Sequence, residues 1–138
     1  MTRINVVPVE VLSDKHLMAE YREIPRIFTA VHKLQSENIM NPITIGIPKK
    51  YCLGIEHMKF FYNKIGWLLE RYNQLIEELG KRGFKLDSDM YKAIIKNAMM
   101  LRRIYFRPYE PSPEDIYLNM ARLCKRSNME AVLDELKA

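Results

Sequence analysis

Apolar residues recur at helical spacing in two long stretches, separated by segments dense in proline, glycine and asparagine. In the first stretch Leu17, Tyr21, Ile24, Phe28, Val31 and Leu34 follow one another at the three-and-four interval that lines one face of a helix. With Ser13 or Asp14 as N-cap, the spacing predicts a helix from Asp14 to Glu37. Pro25 removes one rung of its hydrogen-bond ladder and is expected to bend it. In the second stretch Met58, Phe61, Ile65, Leu68, Leu69, Tyr72, Leu75, Ile76 and Leu79 predict a helix from Ile55 to Lys81, with Gly83 placed to end it. Between the two, Asn41-Pro42 and Gly46-Ile47-Pro48 carry turn chemistry, so residues 38–50 read as a loop.

The rest of the chain is patterned more weakly. Asp87-Ser88-Asp89 can cap a third helix reaching Ile104, and Ser112-Pro113-Glu114-Asp115 sets a cap, a first-turn proline and two acids before Ile116, Leu118 and Leu123. A last short helix after Ser127-Asn128 would carry Val132 and Leu136, and residues 2–12, with Pro8, read as an irregular arm. No repeat and no sustained strand alternation appears. The expected fold is all-α: one compact domain over residues 1–138, with three to five helices, long loops and a first helix kinked at Pro25. At 138 residues, 48% of them hydrophobic, the chain is long enough for one core and short for two.

Composition narrows the function classes. A formal charge of +5 and a pI near 9.2 favour a polyanionic partner, though charge alone is a weak guide to nucleic acid. No apolar run approaches the roughly 20 residues of a membrane span, and no secretory leader pattern opens the chain, so a cytoplasmic protein with no membrane partner is expected. Cys52 and Cys124 lack metal-type spacing and read as reduced, mostly buried thiols.

The candidate chemistry lies at the start of the chain. Thr2 is small, which favours trimming of Met1 and would expose an α-amine. Such an amine titrates near 7.7–8.0 rather than the 10.4 of lysine, an advantage of about 3–4 kcal/mol in forming the neutral nucleophile, and it needs no burial to gain it. On the wheel of the first helix Arg22 and Arg26 lie together opposite the apolar face, and Glu23 falls at the margin near His16 and Glu20. A carboxylate there can stay ionised beside a cationic intermediate. The bland reading of the arginines is a solvated face. His16, Glu20 and Glu23 converge at i, i+4 and i+7, yet without a second histidine on that helix they make a weak metal set, and neither metal nor cofactor is expected. Phe60, Phe61, Tyr62 and Trp67 read as core, whereas Tyr105, Phe106 and Tyr109, interleaved with Arg102, Arg103 and Arg107, read as a nucleic-acid surface.

With these residues in place the chain resembles the phage pyrimidine-dimer DNA glycosylases, the ultraviolet-repair enzymes also called endonuclease V. The likeness is dense over residues 1–33, in Met1-Thr2-Arg3-Ile4-Asn5 and His16-Leu17-Met18-Ala19-Glu20-Tyr21-Arg22-Glu23. It returns at His57, Phe60-Phe61-Tyr62, Lys64 and Lys81-Arg82-Gly83-Phe84. The resemblance implies a helical monomer acting on double-stranded DNA with ultraviolet damage or abasic sites. The Thr2 amine would attack C1′ to give an imine, and β-elimination would then cut the strand (AP-lyase activity). Glu23 would be the acid/base and electrostatic partner. Arg3, Arg22 and Arg26 would hold phosphates, His16 would support the site, and Arg122 and Arg126 would add DNA contacts from a later helix. The chain departs from the family in residues 87–120, in Lys15, which replaces a polar amide, and in ending on Met129-Glu130-Ala131-Val132-Leu133-Asp134-Glu135-Leu136 in place of an aromatic basic tail. The chemistry therefore transfers better than the substrate.

Two other classes stand beside this reading: a non-catalytic basic helical DNA-binding module, and a metal-dependent nuclease built on His16, Glu20 and Glu23. The first reading requires a free Thr2 amine, so the intact mass of the purified protein should fall short of the full sequence by one methionine. A mass that retains Met1 in active protein would remove the proposed nucleophile.

Overall fold

The computed structural model describes residues 4–126, with side chains to residue 123. The short helix expected after Ser127-Asn128 lies outside the described residues. Four helices of twelve residues or more are present: α1 (Asp14–Ser36), α4 (Ile65–Lys81), α5 (Ser88–Met99) and α6 (Pro113–Arg126). Two single-turn helices, α2 (Pro42–Ile45) and α3 (His57–Phe60), interrupt the segment between α1 and α4. No strand forms among the described residues beyond one isolated antiparallel pairing of Lys64 with Phe106, and the fold is all-α as expected.

α1 begins where Ser13 Oγ accepts the His16 amide at 3.2 Å. It ends at Asn38, whose left-handed φ of 58° lets the Ile39 amide reach the Leu34 carbonyl and the Asn38 amide reach that of Gln35. The helix runs on through Pro25, which has no N–H to offer the Tyr21 carbonyl; Thr29 Oγ1 donates to the Pro25 carbonyl one turn further on. α4 closes in the same manner at Gly83, with φ 91°, Phe84 N–H to the Leu79 carbonyl and Gly83 N–H to that of Gly80. α1 and α4 form the central packed pair, burying Leu17, Tyr21, Ile24, Phe28 and Val31 against Ile65, Leu68, Tyr72, Leu75 and Leu79. Tyr21 and Tyr72 stack at 5.3 Å between ring centroids, and Phe28 meets Tyr72 edge-on.

Two boundaries differ from the sequence reading. The single helix expected from Ile55 to Lys81 is broken at residues 61–64. Asn63 and Lys64 give their main chain to Arg107 and Phe106 instead, and Lys64 Nζ turns back to the Phe60 carbonyl. The break allows Phe61 to stack on Trp67 at 5.4 Å, a contact that six residues of continuous helix would not permit. The third helix stops at Met99 rather than Ile104. The Arg102 amide bonds the Gln35 side chain, and Tyr105, 1% exposed, donates its hydroxyl to the Ile39 carbonyl. Ser112 and Asp115 cap α6 reciprocally, as its opening sequence predicts.

Residues 4–12 form the arm. Its downstream end is held by Arg82 at the C-terminus of α4, which donates to the carbonyls of Val9, Glu10 and Leu12 and to the carboxylates of Asp14 and Glu78. From there, followed upstream, the arm doubles back along α1, so that Asn5 lies beside Glu20, almost two turns beyond the start of that helix. A buried polar network fixes it there. Glu20, 0% exposed, takes Arg71 through both oxygens at 2.7 and 3.0 Å and Asn5 Nδ2 at 2.9 Å. Arg71 also donates to the Val7 carbonyl. Asn119 of α6 accepts the Val6 and Val7 amides on Oδ1 and donates to Asn5 Oδ1.

Replacing one member of such a pair strands the other. Arg71→Met should lower the unfolding free energy by about 3–5 kcal/mol, the cost of an uncompensated buried charge, read by urea denaturation. A loss below about 1 kcal/mol would show that the pair is not a constraint.

Candidate nucleic-acid repair site

The site is defined by the upstream end of the arm and the two helices that hold it. On α1 the carboxylate after Glu20 on the same side is Glu23, three residues on and therefore roughly 4.5 Å further along the axis. Glu23 is largely buried, and Arg26, which projects into solvent, reaches back to it at 3.5 Å. Arg22 is exposed one residue before. On α6 the same step leads from Asn119, bonded to the arm, to Arg122, which is half-buried and close enough to act electrostatically on both Tyr51 and His57.

His57, the first residue of α3, is fully buried and joins this group to the arm. Its Nε2 lies 3.3 Å from the Ile4 amide and its Nδ1 2.8 Å from the Cys52 carbonyl. An amide can only donate, so Nε2 is the unprotonated nitrogen and Nδ1–H gives its proton to Cys52. Burial pulls the His57 pKa from its ordinary 6.5 down to about 4, and the Arg122 guanidinium works in the same direction. The ring is held edge-on by Tyr51 and Phe61, each 5.4 Å away between centroids.

His16 stands apart from this group. It lies seven residues before Glu23, roughly 10 Å along α1, with its ring 3.1 Å from the N-cap Ser13 hydroxyl. Both oxygens of Glu20 are committed to Arg71, which takes it out of the metal set considered above, and no cluster of three or more metal-binding side chains occurs among the described residues. Thr2 and Arg3 lie outside the described residues, as does the side chain of Arg126, the last residue of α6.

The aromatic and basic segment at 102–109 does not form the surface expected of it. Tyr105 is buried, and Tyr109 donates to Asp115 and packs edge-on against Phe60 and Trp67, so the rings face inward while Arg102, Arg103 and Arg107 face solvent. The alternation arises because an irregular segment crossing the core must bury every second or third side chain. Phe60, Phe61 and Trp67 are packed in the core cluster as expected, and Cys52 is a half-buried free thiol. A cleft of about 510 Å³ opens between the arm and α4; Glu10, Glu77, Glu78 and Glu110 line it with Arg71 and Lys81, and this balance of charge does not favour phosphate.

The model of one family, described as pyrimidine dimer DNA glycosylase, matches residues 1–92. The chain belongs to that family. It is accordingly a DNA-repair glycosylase that binds ultraviolet-damaged DNA. The glycosylase match takes in the arm, α1, His57 and Arg71 and ends within α5, so Asn119 and Arg122 lie beyond it, although Asn119 completes the network that holds the arm. No helix among the described residues is long and apolar enough to cross a membrane.

Of the residues that position the arm, Glu20 was read from sequence only as a metal candidate and His57 only as part of the family likeness, while Arg71 and Asn119 were not singled out; two of the four nonetheless carried a signal. Glu20 falls three residues after Leu17 and four before Ile24, and Arg71 falls three after Leu68 and four before Leu75. Opposite charges on the apolar faces of two partner helices point to a buried pair. His57 and Asn119 bond main-chain amides of the arm, and no periodicity announces such a partner.

The state of His57 has a consequence for stability. The unfolded chain takes up its proton near pH 6.5 and the folded chain only near 4, so between these values the unfolded state holds more protons. Stability should therefore fall as pH drops from 6.5 to 4, by roughly 3 kcal/mol from this group at about 1.36 kcal/mol per pKa unit, and should be insensitive to it above 6.5. Urea denaturation of the wild type and His57→Gln at pH 7 and 4.5 checks this, because the gap between them should narrow at the lower pH. A constant gap would contradict a neutral buried imidazole.

Proposed function

We propose that this glycosylase cuts damaged DNA through a covalent imine formed by its own N-terminal amine, and that it carries AP-lyase activity. The domain over residues 1–138 acts as a monomer on double-stranded DNA bearing a pyrimidine dimer or an abasic site. The neutral Thr2 amine attacks C1′ of the damaged nucleotide, and the bond from C1′ to the base breaks as the base leaves with a proton. Opening of the sugar ring gives the C1′=N imine. Loss of a C2′ proton then expels the 3′ phosphate by β-elimination, and water frees the amine. At an abasic site the same amine condenses with the C1′ aldehyde and releases water.

The observation that carries this reading is the tie between Asn5 and Glu20, one helical turn from Glu23. Thr2 is two residues upstream of Ile4, and an extended chain spans at most about 3.3–3.6 Å per residue, so the Thr2 Cα is confined to within about 7 Å of that of Ile4. Glu23 is the carboxylate suited to stabilise the iminium and to move the C2′ proton, since both steps place positive charge and a mobile proton beside the sugar. Arg22 and Arg26, exposed on α1, suit phosphate contacts, with Arg3, Arg122 and Arg126 as further cations and His16 in a supporting role. Damage itself lowers the cost of unstacking the target, which helps select it.

Borohydride added during reaction with an abasic duplex should trap a covalent adduct at the N-terminal residue, in the presence of chelator as in its absence. Glu23→Gln should cut strand scission by about 10²-fold or more while leaving duplex affinity within a few fold. Arg26→Ala should reduce the slope of log affinity against log salt by about 0.9. Salt-sensitive binding without adduct or scission would favour the non-catalytic DNA-binding module, and loss of cutting in chelator would favour the metal-dependent nuclease.

A further inference from the structure

Among the bonds that hold the arm, the one from Ile4 to His57 stands nearest the chain's leading end. We propose that His57 is a positioning residue for the glycosylase reaction: by accepting the Ile4 amide proton it sets the direction in which the chain leaves the protein and so the place the reactive amine can occupy. This rests on the reading of the Thr2 amine as nucleophile.

Three features separate this bond from the rest of the network. The first is redundancy downstream. Asn5 is tied to Glu20 and Asn119, and the Val6 and Val7 amides are tied to Asn119, so the arm from residue 5 onward keeps its partners when the His57 acceptor is removed. Nothing equivalent duplicates the Ile4 bond among the described residues. Its loss should loosen the upstream end without unfolding the domain.

The second feature is rigidity. The imidazole is fully buried, held edge-on by Tyr51 and Phe61, and fixed in rotation by the bond from Nδ1–H to the Cys52 carbonyl. The acceptor at Nε2 therefore has one position. A flexible polar side chain placed at the same point can accept the same proton but orients the amide less firmly. Ile4 itself is fully buried, so its side chain and its amide are restrained together.

The third feature is leverage. With two residues between Ile4 and the amine, a rotation at residue 4 moves the nitrogen by several ångströms, whereas attack needs the reacting atoms within about 3–3.5 Å, and a 1 Å misplacement can cost about 10²-fold in rate. The phosphate contacts proposed for Arg22 and Arg26 lie on the exposed side of α1 and do not depend on the direction in which the arm ends. Affinity for the duplex should therefore survive a change that removes the rate.

The test compares His57→Asn with His57→Gln. Asparagine can keep the bond to the Cys52 carbonyl through its amide but is too short to reach the Ile4 amide. Glutamine can present an oxygen where Nε2 now stands. Single-turnover formation of the borohydride-trapped adduct on an abasic duplex should fall by about 10²-fold in His57→Asn and return to within about tenfold of wild type in His57→Gln. The dissociation constant for the same duplex, read by fluorescence anisotropy, should move less than threefold in both. Hydrogen exchange at the Ile4 amide should speed up in His57→Asn alone. The inference falls if rate and affinity decline together, if glutamine restores nothing, or if neither variant changes the rate. Absence of any adduct with the wild-type protein would overturn the underlying nucleophile assignment and this inference with it.

Discussion

The structure depends on a buried ion pair. Glu20 and Arg71 face each other across the α1–α4 contact with almost no access to solvent, where an unpaired carboxylate or guanidinium would be costly. Hydrophobic side chains of similar size would often stabilise the same contact as well or better, so the pair is not explained by stability alone. Its other bonds account for it. The oxygens of Glu20 and the nitrogens of Arg71 also engage Asn5 and the Val7 carbonyl. Apolar contacts of Ile4, Val6 and Val7 would tolerate a slip of the arm, since one aliphatic side chain packs much like another. A slip would strand charged and polar groups inside the protein, so the pair specifies the register.

Register matters to the proposed mechanism because its nucleophile, Thr2, is two residues upstream of Ile4 in the chain. Two of the helices that grip the arm offer a functional candidate one turn beyond the gripping residue, Glu23 after Glu20 on α1 and Arg122 after Asn119 on α6. An α-amine already titrates close to neutral pH, so the proposed mechanism needs neither a deep pocket nor a desolvated lysine to produce a nucleophile. The proposed site, flanked by the exposed Arg22 and Arg26, suits a substrate as large and as stiff as duplex DNA. It also explains why the cleft between the arm and α4, with its acidic rim, is not where the reaction would be expected.

How far the chain could be read in advance depended on the kind of interaction. α1 and α4 were legible because their apolar stripes and their stop signals at Asn38 or Gly83 act locally. The break at 61–64 was not, because helical spacing continues across it. What overrides the spacing is the main-chain pairing of Asn63 and Lys64 with residues 106 and 107, more than forty positions away. Glu23, Arg22 and Arg26 could be named from the wheel of one helix. His57 entered only through the family likeness and Asn119 not at all, since each acts on an amide of the arm that has no side-chain signature. The rings at 105 and 109 misled because alternation with arginine describes both a stacking surface and a segment that threads between core and solvent.

The arm shows why the fold can be all-helical and still present an extended chain. Residues 4–8 form no regular element and Val9–Val11 only a single 3-10 turn, so most donors and acceptors of the arm's main chain need partners from outside it, and a main chain buried without partners is not tolerated. No neighbouring strand supplies them. Helix side chains do so instead: His57 and Asn119 accept from Ile4, Val6 and Val7, while Arg71 and Arg82 donate to the carbonyls of Val7, Val9, Glu10 and Leu12. Point-by-point attachment makes the register of the arm depend on single side chains that can be changed one at a time.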